Sequence, residues 1–353
     1  MAPTIEDVAR RSGVSRQTVS RVINGRNWVS VDARERVLAA VQELGYRRNA
    51  LAGGLRSGRT QTIGLLISNI LNPLFAGEAR GVQDVADAHG YQVILANTDE
   101  DVRKEERLVQ MLREKQVDGA IVIPCHSTAS RATLDELVSA SIPVILLNRR
   151  MAGFDSVVFD ATFEAEQAVQ HLIERGHRRI AIITGPRRST TARDRLSAYR
   201  QVVERAGIAY DPALVKSGSW NEEGAAAATG ELLALAQPPT AIFTTSVRLT
   251  LGSLMAIKAA TLRIPEDVAL VGCNETLWSR VVDPPLTMIE TDPCALGRAG
   301  TELLFWRLDG DRAATPALIR LPARLEVRQS SGPHTPRQHL RPTASAQVAS
   351  ATR

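Results

Sequence analysis

Residues 4–24 read TIEDVARRSGVSRQTVSRVIN, and this stretch decides how the rest of the chain is understood. Thr4 stands before an apolar spacing of Ile5, Val8 and Ala9, with Asp7 three residues after it. That pattern predicts an N-cap with an acidic partner in the first turn, and a short helix running to about Ser12. Ser12-Gly13-Val14-Ser15 then supplies a break, a glycine able to take positive φ and a new cap at Ser15, after which Arg16 to Asn24 reads as helical. The expectation is two helices joined by a tight turn.

On the second helix Val19, Val22 and Ile23 share one face by the i, i+3, i+4 rule, while Gln17, Ser20 and Arg21 share another beside Arg16. One face packs and the other turns outward. Arg and Gln read guanine and adenine edges through paired hydrogen bonds, and these residues lie near the N-terminus of the helix, where it would enter a major groove. A third helix capped by Ser30 and packed through Val37, Leu38, Val41 and Leu44 should stop at Gly45. The competing reading of the same residues is a small helical module with a polar surface for protein contacts.

The pattern resembles the helix-turn-helix of the lactose-repressor (LacI/GalR) family. The resemblance is specific because Val29-Ser30, then Glu43-Leu-Gly-Tyr46, then Asn49 and Leu55 continue at the family's spacing. It implies that Arg16, Gln17 and Arg21 face base edges, and that Thr4, Ser15, Thr18, Ser20, Asn24, Ser30, Tyr46 and Asn49 hold phosphates, which set register without carrying sequence information. It also implies a hinge helix near residues 49–56 whose Ala52 and Leu55 enter the minor groove, where an apolar wedge unstacks a base step. Gly53 and Gly54 each cost about 1 kcal/mol relative to Ala in a helix, so the hinge is expected to be disordered away from DNA.

From Gln61 onward short apolar runs alternate with longer amphipathic stretches, the pattern of βαβ units and parallel sheets. Strands are expected at Thr62–Ser68, Tyr91–Asn97, Gly119–Ile123 and Pro143–Asn148 for a first sheet, and at Ile180–Gly185, Thr240–Thr244 and Val268–Gly272 for a second. No GxGxxG follows the first strand and no GxxxxGK[ST] occurs. The six His are scattered, with no HExxH or GxSxG, so neither a hydrolase nor a metalloenzyme is indicated and no cofactor is expected.

This body is similar to the two-lobed, periplasmic-binding-protein-like α/β core of the same family. The matching stretches include Asn72-Pro-Leu-Phe75, Asp118-Gly119, His171-Leu-Ile-Glu-Arg-Gly-His177, Ile264-Pro-Glu-Asp-Val268 and Pro284-Pro-Leu-Thr287. The resemblance places effector contacts on Phe75, Asp160, Arg195, Trp220 and Asn274 in a cleft at the carboxyl ends of the strands. Three positions depart from the family pattern: Asn274 for Asp, Ser246-Val247 for Asn-Asp, and Ala198 for Gly. With two acids gone and Arg187, Arg188, Arg193 and Arg195 clustered in sequence, a sugar acid or phosphorylated sugar is expected over a neutral sugar.

Charge is distributed unevenly. Residues 1–60 hold eleven Arg against five Asp/Glu, net +6; residues 61–329 are net −4; and residues 330–353 add three Arg and no acid. A basic end on a mildly acidic body suits a polyanionic partner, here double-stranded DNA, although a solvated basic face reads the same way. Cys125, Cys273 and Cys294 are far apart, without metal-ligand spacing, and fit a reducing compartment. No secretion signal or membrane-length apolar run is seen, so a cytoplasmic, nucleoid-associated protein is expected.

The expected organisation is a helix-turn-helix domain at 1–48, a hinge and linker at 49–60 and an effector core at 61–329, followed by a disordered tail at 330–353. Within the core, one lobe takes about 61–159 with 292–320 and the other 160–291 with 321–329. One module reads half an operator, so a homodimer on a pseudo-palindromic site is expected. The function implied is a transcriptional repressor of sugar or sugar-acid genes under allosteric control by a small molecule. The alternative is a related regulator whose core answers chiefly to a protein partner.

Overall fold

The computed structural model describes residues 3–23, 29–46, 59–310 and 315–333. It divides into two compact units, one ending at Gln61 and the other beginning at Thr62.

In the first unit α1 spans Ile5–Ser12, α2 Arg16–Ile23 and α3 Val31–Leu44. Thr4 and Asp7 form a reciprocal box: the Asp7 N–H donates to Thr4 Oγ1 at 3.3 Å and the Thr4 N–H to Asp7 Oδ2 at 2.9 Å. The Thr4 backbone N–H is the main reason the Asp7 carboxyl lies below its ordinary range. Gly13 closes α1 at φ 66°, a left-handed conformation that only glycine takes without strain, and so makes the turn between helices. Val8, Val19, Val22, Val37 and Ala40 fill the centre of the unit. Leu38, expected in this core, is 53% exposed. The buried stripe of α3 passes through Ala33, Val37 and Ala40, and Leu38, one residue on from Val37, is turned about 100° off it.

The second unit contains two six-stranded sheets. The first is built from β1 (Thr62–Ile67), β2 (Gln92–Asn97), β3 (Gly119–Val122), β4 (Val144–Leu147), β5 (Asp155–Phe159) and β11 (Leu318–Leu321), in the order β11-β5-β4-β3-β1-β2, all parallel. The second uses β6 (Ile180–Thr184), β7 (Val215–Ser217), β8 (Ala241–Thr244), β9 (Ala269–Cys273), β10 (Thr287–Glu290) and β12 (Arg324–Glu326), in the order β12-β10-β9-β8-β6-β7. Among the described residues, only β12 is antiparallel to its neighbour. Central strands such as β1, β3, β4, β6, β8 and β9 are almost wholly buried, as expected where helices cover both faces of a parallel sheet.

The helices of the first lobe are α4 (Pro73–Ala88), α5 (Val102–Glu114), α6 (Ser130–Ser139) and, returning from far along the chain, α12 (Pro293–Asp309). The second lobe carries α7 (Ala161–Glu174), α8 (Thr190–Arg205), α9 (Glu222–Leu233), α10 (Val247–Ala259) and the short α11 (Leu277–Val281). The chain passes between lobes three times: after β5, after β10, and between β11 and β12. The return of α12 is pinned by a buried two-pronged ion pair, Arg307 Nε and Nη2 each 2.8 Å from an oxygen of Asp155 on β5.

Two expectations about the body are corrected. Leu321 pairs with Phe159 in the first sheet, whereas the sequence reading opened the second lobe there. Residues 330–333, assigned to a disordered tail, include Ser330 and Ser331, which are buried. The Ser330 hydroxyl donates to Leu270 O at 2.6 Å, and the Ser331 hydroxyl shares a 2.8 Å hydrogen bond with His171 Nε2. Polar Ser-rich sequence carries no periodic signal, yet it satisfies the ends of the second sheet. The strands β5, β7, β10 and β11 were also unforeseen, being short, at or near sheet edges, or mixed in polarity.

Candidate functional site: a DNA-reading face and a polar cleft

In the first unit Arg16, Gln17 and Arg21 are exposed on the side of α2 away from buried Val19 and Val22. Arg16 Nη1 lies 3.2 Å from Glu6 Oε1 of α1. Thr4, Ser15 and Ser30 sit at the N-termini of the three helices: Ser15 Oγ accepts from the Thr18 N–H at 3.1 Å and Ser30 Oγ from the Ala33 N–H at 3.4 Å. No acid occupies the first turn of α2, so its positive end is uncompensated, the setting in which a phosphate is bound. Thr18, Ser20 and Tyr46 are half-buried. The expected contacts Asn24, Asn49, Ala52 and Leu55 lie outside the described residues.

In the second unit a cavity of about 920 Å³, counting its open part, lies between the carboxyl ends of the two sheets. The first lobe contributes Asn72, Phe75, Asp99, Glu100, Asn148, Arg149 and Phe159 to its wall; the second contributes Ser189, Thr191, Arg195, Trp220, Ser246, Arg248 and Asn274. Phe75, Arg195, Trp220 and Asn274 therefore share one cavity wall. Asp160 is not among the lining residues. Its carboxylate accepts from the Phe163 N–H at 3.2 Å as the N-cap of α7 and lies 3.8 Å from Arg320, while its neighbour Phe159 lines the cleft. The chain turns into a helix there, and the first-turn donors hold the acid that a ligand hydroxyl was expected to meet.

Sequence reasoning missed Asn148-Arg149, Asp99-Glu100 and Arg248. The signal that locates the first two pairs is position, since each follows the end of a first-sheet strand, β4 or β2. Asn148 takes φ 59°, as Asn tolerates better than most residues, and Trp220 also takes φ 59°. The Trp220 ring lies flat on Gly185, where a Cβ would stand 1.9 Å from a ring carbon, and its indole Nε1 is buried without a partner. Ser189 Oγ is likewise buried and unpartnered.

The electrostatics of the wall differ from the expectation of a basic pocket. Arg149 Nη2 and Nη1 meet the two Glu100 oxygens at 2.5 and 3.0 Å. Arg195 Nη2 and Nε meet Glu164 Oε2 at 2.5 and 2.9 Å, with Nη1 donating to Thr245 O at 3.0 Å. Arg248 donates to both oxygens of Glu222. Asp99 is held below the usual carboxylate range, chiefly by a hydrogen bond from Lys104. Each cation of the wall thus carries its own anion. Arg187, Arg188 and Arg193 do not line the cleft, and Arg193 is turned toward Ser127 Oγ, 3.1 Å away.

The lobes are joined across the cleft mouth. Arg150 Nη2 lies 2.8 Å from both oxygens of Asp194, and the Thr191 hydroxyl donates to Asn148 O at 2.7 Å. A small helical unit with an exposed basic helix, in one chain with two lobes latched around a cavity lined mainly by polar residues, defines a ligand-responsive DNA-binding regulator.

The comparisons agree. The family pattern "Bacterial regulatory proteins, lacI family" matches residues 4–49, and "Periplasmic binding protein-like domain" matches residues 169–331. The chain is 35% identical over 307 residues to the HTH-type transcriptional repressor PurR of Haemophilus influenzae (strain PittGG), covering 86% of this chain and 91% of that protein. Among solved structures, the transcriptional regulator CelR–cellobiose complex has a TM-score of 0.71 at 35% identity, covering 93% of this chain and 99% of that one. The Lac repressor dimer bound to operator and the anti-inducer ONPF has a TM-score of 0.85 at 29% identity, with 94% and 100% coverage. This chain belongs to the lacI family of bacterial regulatory proteins. It is a DNA-binding transcriptional repressor controlled by a small-molecule effector, and its relatives are regulators rather than enzymes.

Proposed function

We propose that this repressor answers to a neutral, hydroxyl-rich sugar and, as a homodimer, binds a pseudo-palindromic operator beside carbohydrate genes. The observation that carries the effector class is the charge balance of the cleft: Arg149, Arg195 and Arg248 are each committed to a carboxylate. An anionic ligand would have to compete with those acids for the guanidinium forks, at the cost of leaving a buried charge unpaired. A sugar asks only for spare donors and acceptors with an apolar face to stack on, and Phe75, Phe159 and Trp220 supply such faces. The buried, unpartnered Ser189 Oγ and Trp220 Nε1 are suited to ligand oxygens. The CelR structure, a complex with cellobiose, supports the same class. These observations favour a small molecule over the protein-partner alternative.

On DNA, Arg16, Gln17 and Arg21 read base edges; Thr4, Ser15, Thr18, Ser20, Ser30 and Tyr46, with Asn24 and Asn49, hold phosphates; Ala52 and Leu55 meet the minor groove. Met255, Leu277 and Val281 of the second lobe, 58%, 81% and 81% exposed, supply apolar surface for the dimer. Calorimetry of the full chain against neutral sugars, sugar acids and sugar phosphates tests the effector class. Heat from a neutral mono- or disaccharide is expected, and tight binding confined to the anions would overturn the proposal.

A further inference from the structure

Glu78 is fully buried on α4 and is absent from every role given so far. Its backbone carbonyl lies where α12 comes so close that a Cβ on Gly297 would stand 2.1 Å from Glu78 O. A side chain between helices this tightly packed has little room to choose another rotamer. Its Oε1 accepts from Asn148 Nδ2 at 2.6 Å, across seventy residues of sequence, and its Oε2 has no partner. Asn148 lines the cleft and its backbone carbonyl accepts the Thr191 hydroxyl of the opposite lobe. The same residue therefore touches the ligand space, the interlobe latch and the buried acid.

We propose that Glu78 is a positioning residue for effector recognition: it holds the Nδ2 end of the Asn148 amide, so that the acceptor end, Oδ1, is the one left for a ligand hydroxyl. An amide that could turn freely would offer a donor or an acceptor, and a site that selects hydroxyl donors needs one of the two fixed. The inference rests on the neutral-sugar reading, which it deepens by naming the group recognised at that wall. Burial pushes the Glu78 carboxyl up to about 8, opposed by the hydrogen bond from Asn148 and by the charge of Arg149, and the proton it carries near pH 7 belongs on the unpartnered Oε2, because Oε1 is the oxygen that accepts from Asn148 Nδ2. The charged and titratable groups around this part of α4 are Arg149, already paired with Glu100, and Cys294 and Arg298 of α12, which meet α4 at Gly81. Arg298 is turned toward Cys294 Sγ at 3.1 Å and Asp292 at 3.9 Å.

The experiment uses the full chain with asparagine-selective nitrogen-15 labelling, in wild type, E78Q and E78L, the Asn148 side-chain signal being assigned by its loss in N148D. In wild type that signal should move with pH about a midpoint near 8. It should be pH-independent in E78Q, which keeps an acceptor, and lose its protection from solvent exchange in E78L, which has none. Calorimetry with cellobiose, D-glucose and D-ribose should show E78L weakened by about tenfold or more for whichever sugar binds, and E78Q within about threefold of wild type. An Asn148 signal that is the same in all three proteins, or sugar affinity unchanged in E78L, overturns the proposal. If wild type binds none of the sugars, the neutral-sugar reading fails while the amide signal still decides the role of Glu78. If E78L does not fold, the pH response of wild type against E78Q decides it.

Discussion

At the scale of single residues the helical unit separates exposed side chains from those engaged in capping its helices. Arg16, Gln17 and Arg21 project from α2 into solvent, whereas Ser15 and Ser30 spend their hydroxyls capping helices. Replacing Arg21 or Gln17 with Ala should cost about 1–3 kcal/mol for a duplex selected from a random pool and relax preference at one base position in each half-site. Competition binding at fixed salt measures this, and a uniform loss over all sequences would assign the residue to phosphate instead. Glu78 yields a second prediction. Its carboxyl titrates near 8 in the folded chain against an ordinary 4.5, so the folded state keeps a proton that the unfolded state gives up. The stability it supports is greatest below about pH 4.5 and is lost as pH rises toward 8. Urea unfolding from pH 5 to 9 should show a decline in wild type that is absent from E78Q; parallel profiles would show that Glu78 ionises normally.

At the scale of elements, two devices place α12 in the first lobe although it follows nearly the whole second lobe in sequence. One is the close approach at Gly81 and Gly297, where added Cβ atoms would each stand 2.1 Å from a backbone oxygen of the facing helix. The other is the Arg307–Asp155 pair, buried at both ends and extended by the Ala317 N–H, which donates to Asp155 Oδ1 at 2.7 Å. Removing one partner leaves an uncompensated buried charge, so Arg307→Ala should destabilise by about 3–5 kcal/mol, while a joint replacement by apolar residues of similar volume should cost much less. Chemical denaturation of the two variants tests this. Equal losses would mean that packing, rather than the stranded charge, sets the cost.

For the whole molecule, the two lobes of the second unit meet through Arg150 with Asp194 and Thr190, Thr191 with Asn148, and Ser127 with Arg188 and Arg193, and the first of these contacts is partly solvated. The Arg150–Asp194 pair has side chains 42% and 28% exposed, so its loss should weaken closure by only about 0.2–1 kcal/mol. Arg150→Ala is therefore expected to lower effector affinity a few-fold at low salt, with the difference shrinking as salt is raised. Calorimetry at two ionic strengths checks this, and a salt-independent loss would place Arg150 in direct ligand contact. Coupling to DNA is reciprocal: whatever factor effector imposes on operator affinity, operator must impose on effector affinity.

Much of this was legible in the chain because it is local. The capping box at Thr4 and Asp7, the turn at Gly13, the α2 face and the apolar runs of the central strands depend on hydrogen bonds and periodicities that close within a few residues. The placing of Phe75, Arg195, Trp220 and Asn274 around one cleft was legible only through family resemblance, since nothing local marks them as neighbours. Asp160 shows the limit: a carboxylate at a strand end can serve a ligand or its own helix, and only the backbone path after Phe159 decides which. The character of the cleft was likewise beyond reach, because charge counted along the sequence does not say which Arg meets which acid. Arg195 finds Glu164 thirty-one residues away and Asn148 finds Glu78 seventy away. Sequence determined that there would be a helix-turn-helix and two α/β lobes; tertiary contact alone decided that the cations of the cleft wall are each paired and what stands behind that wall, because burial and pairing are properties of residues that meet only in the folded chain.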